Sequence, residues 1–335
     1  MTQPAGPARE EAWCVGRTIL ITGAGGTVGA ELARQALAAG AGRLILLGHG
    51  EHSLFLLQRE LLAAAPADRL PVVVADIRNE ARIGRVLRHF SPSVVFHAAA
   101  HKHVPMMEDN VAEAITNNVH GTLVVAEAAL GVGARFILLS TDKAVRPASV
   151  MGATKQLAEG VVRRLAAGGA RPAIAVRFGN VFGSRGSVVP LIREEIRRGG
   201  PVALTDTRMR RYFISAGRAA ALLLAAGERG RGGELFVTVM DPAIGLVALA
   251  EQLMAEAGRT VPVVFTGARP GEKLDEEPFF AEDHTDPTDH PGLRLARDPA
   301  PEASWDEAAR QLVAAAIREH PEEDLRTRLF GLVAG

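Results

Sequence analysis

Short apolar runs alternate with longer stretches of helical periodicity over the first half of the chain. Residues 18–22, 43–47, 71–75, 93–97, 135–139 and 173–178 are apolar nearly throughout and rich in Val, Ile and Leu. Runs of that length without in–out alternation predict strands buried on both faces, as in a parallel sheet. Between them, residues 30–39, a stretch starting near Asn79, residues 111–130 and residues 149–166 carry helical spacing. This order predicts an α/β fold, a Rossmann-like doubly wound parallel sheet. Past residue 180 the elements shorten. Helices are expected at 188–198 and 216–226, strands at 202–205 and 234–239, then a further helix and strand, a loop at 282–291 and two short helices. The expected organisation is a mobile tail at 1–16, a dinucleotide-binding domain at 17–180, and at 181–335 a smaller C-terminal α/β region that mainly binds substrate and ends in helices.

The junctions between these elements hold the chemistry. Gly23, Gly26 and Gly29 are spaced by threes between the first strand and its helix, with Gly25, Thr27 and Val28 among them. Glycine is needed where backbone turns tightly and approaches a pyrophosphate seated on a helix amino end, so a dinucleotide site is expected here. An acidic residue at the end of the second strand would hold ribose hydroxyls, but Gly48 stands there. Glu51 would have to reach in, or a 2′-phosphate is tolerated, which leaves NAD and NADP both open. Asp76 and Ile77 close the third strand, where they either meet adenine or, for Asp76, cap the next helix. Ala98, Ala99 and Ala100 after the fourth strand are small enough for backbone to lie against a flat cofactor. His101 and His103 flank Lys102 without the further ligands that zinc requires, so no metal is expected. An asparagine inside a helix is unfavourable unless its amide is used, which makes Asn118 a candidate brace for the site.

The fifth strand runs into Ser140-Thr141-Asp142-Lys143. Polar groups at the carboxyl end of a parallel strand face the ligand crevice. Met151 and Lys155, four apart at the start of a helix, share one face. A hydroxyl, a carboxylate and two amines therefore converge. Further on, Arg211 and Arg269 are of the type that clamps a diphosphate, although a single arginine is more often a solvated surface charge.

Composition narrows the partners. Basic and acidic residues balance at 38 each, so no net field points to nucleic acid or an anionic membrane. A single cysteine, Cys14, leaves no internal disulfide and fits a reducing compartment. No apolar run reaches the roughly 18 residues that span a bilayer. The opening MTQPAGPAREEAW is not a signal peptide. A cytoplasmic protein with no membrane contact is expected.

With the motifs in place, the sequence resembles the extended short-chain dehydrogenase/reductases, and among them the UDP-N-acetylglucosamine 4,6-dehydratases of bacterial polysaccharide biosynthesis. The resemblance is carried by TGAGGTVGAELARQ, VVFHAAAHKHVP, NNVHGT, LLSTDKAVRPASVMGATK, VRFGNV, GSVVPL, RRYF and FTGARPGEK, in the family's order over residues 17 to 275. Two departures stand out. The amino-terminal transmembrane helices of the membrane-bound branch are absent from this sequence. The usual Tyr-x-x-x-Lys reads Met151-x-x-x-Lys155, a change that the membrane-bound branch shares. The resemblance implies a tightly bound NAD or NADP that takes hydride from carbon 4 of the sugar and returns it to carbon 6. Between those events carbon 5 loses its proton and the carbon 6 hydroxyl departs. By the same resemblance Asp142 is the acid, Lys143 the base with a depressed pKa, and Lys155 the holder of the nicotinamide ribose, with Thr141 bonding the carbon 4 oxygen. Met151 takes no proton, so Asp142 would act twice. Lys102, His103, Asn180, Ser187, Val188, Arg211, Arg269 and Glu272 would hold the nucleotide-sugar. A homo-oligomer is expected. The competing readings are a nucleotide-sugar epimerase, which needs no acid beside carbon 6, and a non-catalytic nucleotide sensor.

Overall fold

The computed structural model describes residues 13–167, 172–277, 279, 281–282, 284–298 and 304–333. The chain forms β1 (Thr18–Thr22), β2 (Arg43–Gly48), β3 (Val72–Val74), β4 (Val94–His97), β5 (Arg135–Thr141), β6 (Ala173–Phe178) and β7 (Asn180–Val181). There follow β8 (Val202–Leu204), β9 (Arg210–Arg211), β10 (Phe213–Ile214), β11 (Leu235–Thr238), β12 (Ile244–Gly245), β13 (Val263–Phe265), β14 (Thr285–Pro287) and β15 (Leu293–Ala296). Nine of these make one sheet in the order β14-β15-β11-β6-β5-β4-β1-β2-β3. From β11 to β3 every pairing is parallel, while β15 runs antiparallel to β11 and β14 antiparallel to β15. The fold is a Rossmann-like doubly wound α/β sheet.

The central strands of the large sheet are buried because both faces are covered. On one face Ile19, Ile21, Leu44, Leu46, Phe96 and Ile137 pack with the helices Thr27–Ala38 and Ala216–Arg229. On the other, Leu20, Ile45, Val95 and Phe136 pack with residues of Glu80–Phe90 and Gly121–Gly131. A third apolar cluster lies outside this sandwich, where Ser304–Ile317 and Glu322–Val333 cover Val111–Ile115 and Val150–Ala167. A fourth, formed by Val188–Arg198, β8 and Leu246–Glu256, is the core of the smaller lobe.

Several expectations need correction. Residues 1–12 of the expected mobile tail lie outside the described residues, but the next four are anchored. Cys14 is fully buried and Val15 bridges to Ala41. The expected loop at 282–291 contains β14, whose Pro287 is acceptable because the strand lies at the sheet edge. The expected helix at 111–130 is broken by a π-helical turn, Thr116–His120. The division of the chain at residue 180 is also not a division in space. β11, β14 and β15 return to the main sheet, and the last two helices pack on the first half.

Candidate active site

Strand order reverses around β1, which pairs with β2 on one side and β4 on the other. The carboxyl ends of the strands meet there, at the place where doubly wound sheets bind ligands. A cleft of about 970 Å³ opens at that point and continues under the smaller lobe. Its end at the glycine loop is lined by Gly23, Gly26, Thr27, Val28, Gly29, Ala98 and Ala100. Gly23 has a φ of +64°, and a Cβ on it would lie 2.7 Å from the Ala99 nitrogen, so no other residue fits. The helix Thr27–Ala38 starts without a side-chain cap and without an acid in its first turn. Its first N–H groups are thus left for an anion, and the loop fits a pyrophosphate.

Behind this loop the π turn acts as a strut. Asn118 Oδ1 accepts from the His101 nitrogen at 2.8 Å, and its Nδ2 donates to the His101 carbonyl at 3.0 Å and to Thr154 Oγ1 at 3.1 Å. One amide thereby ties the segment after β4 to the helix that carries Met151 and Lys155. A π turn widens the helix locally and is frequent where a side chain must be re-aimed at a functional site. His97 is buried between Thr22 and Thr122, with ring nitrogens 2.8 and 3.1 Å from their hydroxyls. Burial, aided by the Lys155 charge, pushes its pKa down to about 3, so it is a neutral, fully buried group.

The chemical centre lies where β5 ends. Thr141, Lys143, Met151 and Lys155 border the cleft, with Asp142 buried directly behind them. Thr141 Oγ1 donates to Asp142 Oδ1 at 2.8 Å, and Lys143 Nζ donates to the same oxygen at 2.9 Å. Asp142 Oδ2 is buried and has no hydrogen-bond partner. Lys143 Nζ also donates to Asn180 Oδ1 at 3.1 Å and stands 3.5 Å from Glu276 Oε1. Close packing fixes this loop, since a Cβ on Gly152 would fall 2.2 Å from the Lys143 carbonyl oxygen.

The two amines differ from what the sequence suggested. Desolvation alone would loosen the Lys143 proton, but Asp142 and Glu276 outweigh it and hold the amine above its ordinary pKa. Lys155 is the one pushed down, to about 8, chiefly by its own burial against a smaller opposing pull from Glu159. Its Nζ donates to the Leu139 carbonyl at 2.7 Å.

Towards the smaller lobe the cleft is lined by Lys102, His103, Asn180, Ser187, Val188, Arg211, Arg269 and Glu272. Lys102 Nζ reaches Ser184 Oγ at 3.3 Å. Burial, then the nearby Arg185, lower its pKa, so an anion would be welcome between these cations. Ser187 Oγ is buried without a partner. Arg211 is already employed, because its terminal nitrogens donate to the carbonyls of Arg210, Leu274 and Lys273 and so staple the 269–276 loop. Arg269 is exposed at the mouth.

Other residues singled out from the sequence stand apart from the lining. Glu51 is exposed at the start of the helix Glu51–Leu61. Asp76 is held by Arg78, which pairs with it at 2.7 Å and lowers its pKa, and the cap of the following helix is Asn79. Ile77 is buried in the core, and Gly25 sits against Ser53. Sequence reasoning missed Glu276, Arg185 and Lys273, all of which border the cleft. Glu276 comes shortly after the RPGEK stretch, in an acidic run without periodicity that resembles a solvated loop. Among the described residues no group of three or more His, Cys, Asp or Glu could hold a metal ion, and no helix is long and apolar enough to cross a membrane.

Comparison with known proteins places this fold and cleft in a class. Residues 19–298 match the polysaccharide biosynthesis protein family, and the chain belongs to it. The capsular polysaccharide biosynthesis protein CapD of Staphylococcus aureus is 47% identical over 268 residues, which cover 78% of this chain and 45% of CapD. The chain therefore spans about half of that relative's length. An inverting UDP-N-acetylglucosamine 4,6-dehydratase of Campylobacter jejuni is 34% identical, covering 80% of this chain and 79% of the relative. A UDP-glucose 4-epimerase of Rickettsia akari is 37% identical over 68% of this chain and 67% of its own. Among solved structures, Pen from Bacillus thuringiensis superposes with a TM-score of 0.78 at 30% identity, covering 87% of this chain and 89% of Pen. A dTDP-glucose 4,6-dehydratase of Streptomyces venezuelae with NAD bound shares the fold, with a TM-score of 0.68 at 24% identity over 76% of this chain and 86% of its own.

Proposed function

We propose that the chain is an NAD(P)-dependent nucleotide-sugar 4,6-dehydratase acting on UDP-N-acetylglucosamine. The observation that carries this reading is the joined Thr141–Asp142–Lys143 group at the end of β5, a hydroxyl and an amine both donating to one buried carboxylate oxygen. The inverting dehydratase among the relatives supports the choice of sugar. The uncapped glycine loop would hold the dinucleotide pyrophosphate, and Lys155 the ribose next to the nicotinamide. That cofactor, when bound, supplies a hydride acceptor that becomes the donor later in the same turnover.

The protein's own groups manage the protons. Met151 offers none, so the carbon 4 hydroxyl gives its proton to the Thr141 hydroxyl, which passes its own to Asp142. Protonated Asp142 no longer attracts the Lys143 ammonium, one of whose two carboxylate neighbours has now lost its charge. Lys143 gives its proton to the water of the cleft it borders, takes the hydrogen from carbon 5, which the adjacent ketone has made acidic, and hands a proton back to carbon 5 as hydride reaches carbon 6. Asp142 returns its proton through Thr141 to the departing carbon 6 hydroxyl. Carbons 5 and 6 are neighbours, as are Lys143 and Thr141.

The epimerase reading has the Rickettsia relative in its favour but gives no task to the Asp142–Lys143 pair. One experiment separates them. The purified protein is incubated with UDP-N-acetylglucosamine and a trace of NAD(P)+, and the product is weighed by mass spectrometry. A product lighter by one water, formed in excess over the cofactor, is expected. An isomer of unchanged mass would establish the epimerase, and steady release of NAD(P)H in step with product would exclude a dehydratase.

A further inference from the structure

We propose that Glu276 is a positioning residue of this centre, sharing the Lys143 ammonium with Asp142 through one oxygen and receiving a hydroxyl or amide donor of the bound sugar on the other. This rests on the dehydratase reading for its sugar half only. Of the two carboxylates beside Lys143, Glu276 borders the cleft and Asp142 does not, among the residues described. Its side chain is 4% exposed, with Oε1 at 3.5 Å from Lys143 Nζ and 3.7 Å from Arg211 Nε. Oε2 is buried without any partner. A buried carboxylate oxygen left unpaired is costly, and in a cleft the missing donor is a ligand's. The carboxylate is held in place by its loop, because Arg211 fastens the Lys273 and Leu274 carbonyls.

The arrangement links binding to proton position. Lys143 faces Asp142 from its own loop, Asn180 from β7, Arg211 from β9 and Glu276 from the stapled loop. Arg211 repels the ammonium and Asn180 is neutral, so the two carboxylates are the charges that keep it protonated. A sugar donor on Oε2 draws charge away from Oε1 and eases the release of the Lys143 proton at the moment the substrate is seated.

The test has two readouts on the full chain. The first needs no substrate: the titration of Lys143 is followed by NMR in protein labelled at lysine Cε, its signal identified by loss in Lys143→Met. An opposite charge within about 4–6 Å moves a pKa by about 1–3 units, so Glu276→Gln should lower the Lys143 midpoint by about one pH unit or more. Glu276→Asp, which keeps the charge, should stay nearer to the wild type. The second readout is KM for UDP-N-acetylglucosamine, expected to rise about tenfold or more in Glu276→Gln, the usual loss for a hydrogen bond to a charged acceptor. An unmoved midpoint in a Glu276→Gln protein with wild-type circular dichroism overturns the charge-sharing role. A shifted midpoint with unchanged KM overturns the sugar contact. A wild-type protein that never removes water refutes the function proposed above, while the midpoint still decides the role of Glu276.

Discussion

Two amines stand beside the end of β5, and their surroundings set them apart. Lys143 lies between carboxylates and is held charged, whereas Lys155 is buried with a carbonyl for company and is pushed down to about 8. If the first is the carbon 5 base, Lys143→Met still permits hydride abstraction but blocks water loss. The substrate then halts as the 4-keto sugar, visible as the absorbance of reduced nicotinamide in a single-turnover trace. Loss of a general base costs about 10²–10⁴-fold in rate. Lys155→Met should instead weaken cofactor binding, and no such signal should accumulate. Exchange of the carbon 5 hydrogen with heavy water checks the assignment, since undiminished exchange in Lys143→Met would move the base elsewhere. The identity of these residues was legible from the sequence, because strand-end placement and the spacing of four are local facts. Their protonation was not. It depends on Glu276, more than a hundred residues away in sequence, which only the folded loop brings to 3.5 Å.

At the scale of elements, the parallel strands could be read from their apolar runs, and the glycine loop from its spacing. The irregular pieces could not. Asn118 was recognisable as an oddity within a helix, but the π turn that aims it arises from tertiary bonds to His101 and Thr154. Likewise β14 is an edge strand made by its pairing with β15, and its own sequence, Thr285–Pro287, carries no strand signal. The strut yields a prediction. Asn118→Ala leaves the His101 nitrogen and carbonyl without their side-chain partner, which should lower stability by about 1–3 kcal/mol in a denaturant melt. Asn118→Asp keeps the acceptor for the His101 nitrogen and loses the donors, so it should fall between the two or worse if its charge stays buried. A wild-type midpoint for Asn118→Ala would show that the bonds are redundant.

For the whole molecule, the last two helices are what close the chain over its first half. Glu322 accepts from the Val111 and Ala112 nitrogens at 2.5 and 3.1 Å, capping a helix some two hundred residues earlier in the chain. Arg326 grips Glu108 at 2.6 Å, and the other oxygen of Glu108 accepts from the Val150 nitrogen at 2.7 Å, at the start of the Met151–Lys155 helix. Trp305 packs against Gly160 on that same helix and donates from its indole to the Leu332 carbonyl at 3.0 Å. A Cβ on Gly160 would sit 1.5 Å from the Trp305 ring, and a ring of that size cannot bend aside. Gly160→Ala should therefore act as a wedge. Overpacking of this kind costs about 1–3 kcal/mol, and here it falls on the docking of Ser304–Ile317 and Glu322–Val333, while the main sheet is untouched. Hydrogen exchange should report faster opening in those two helices, by about tenfold for each 1.4 kcal/mol, with β1, β4 and β5 as protected as before. Because Glu108 and Glu322 are the links from these helices to Val150 and Val111, binding of the nucleotide-sugar should weaken along with the docking. Unchanged exchange in residues 304–333 would mean that Trp305 finds another seat, and that the terminal helices hold by their remaining contacts alone.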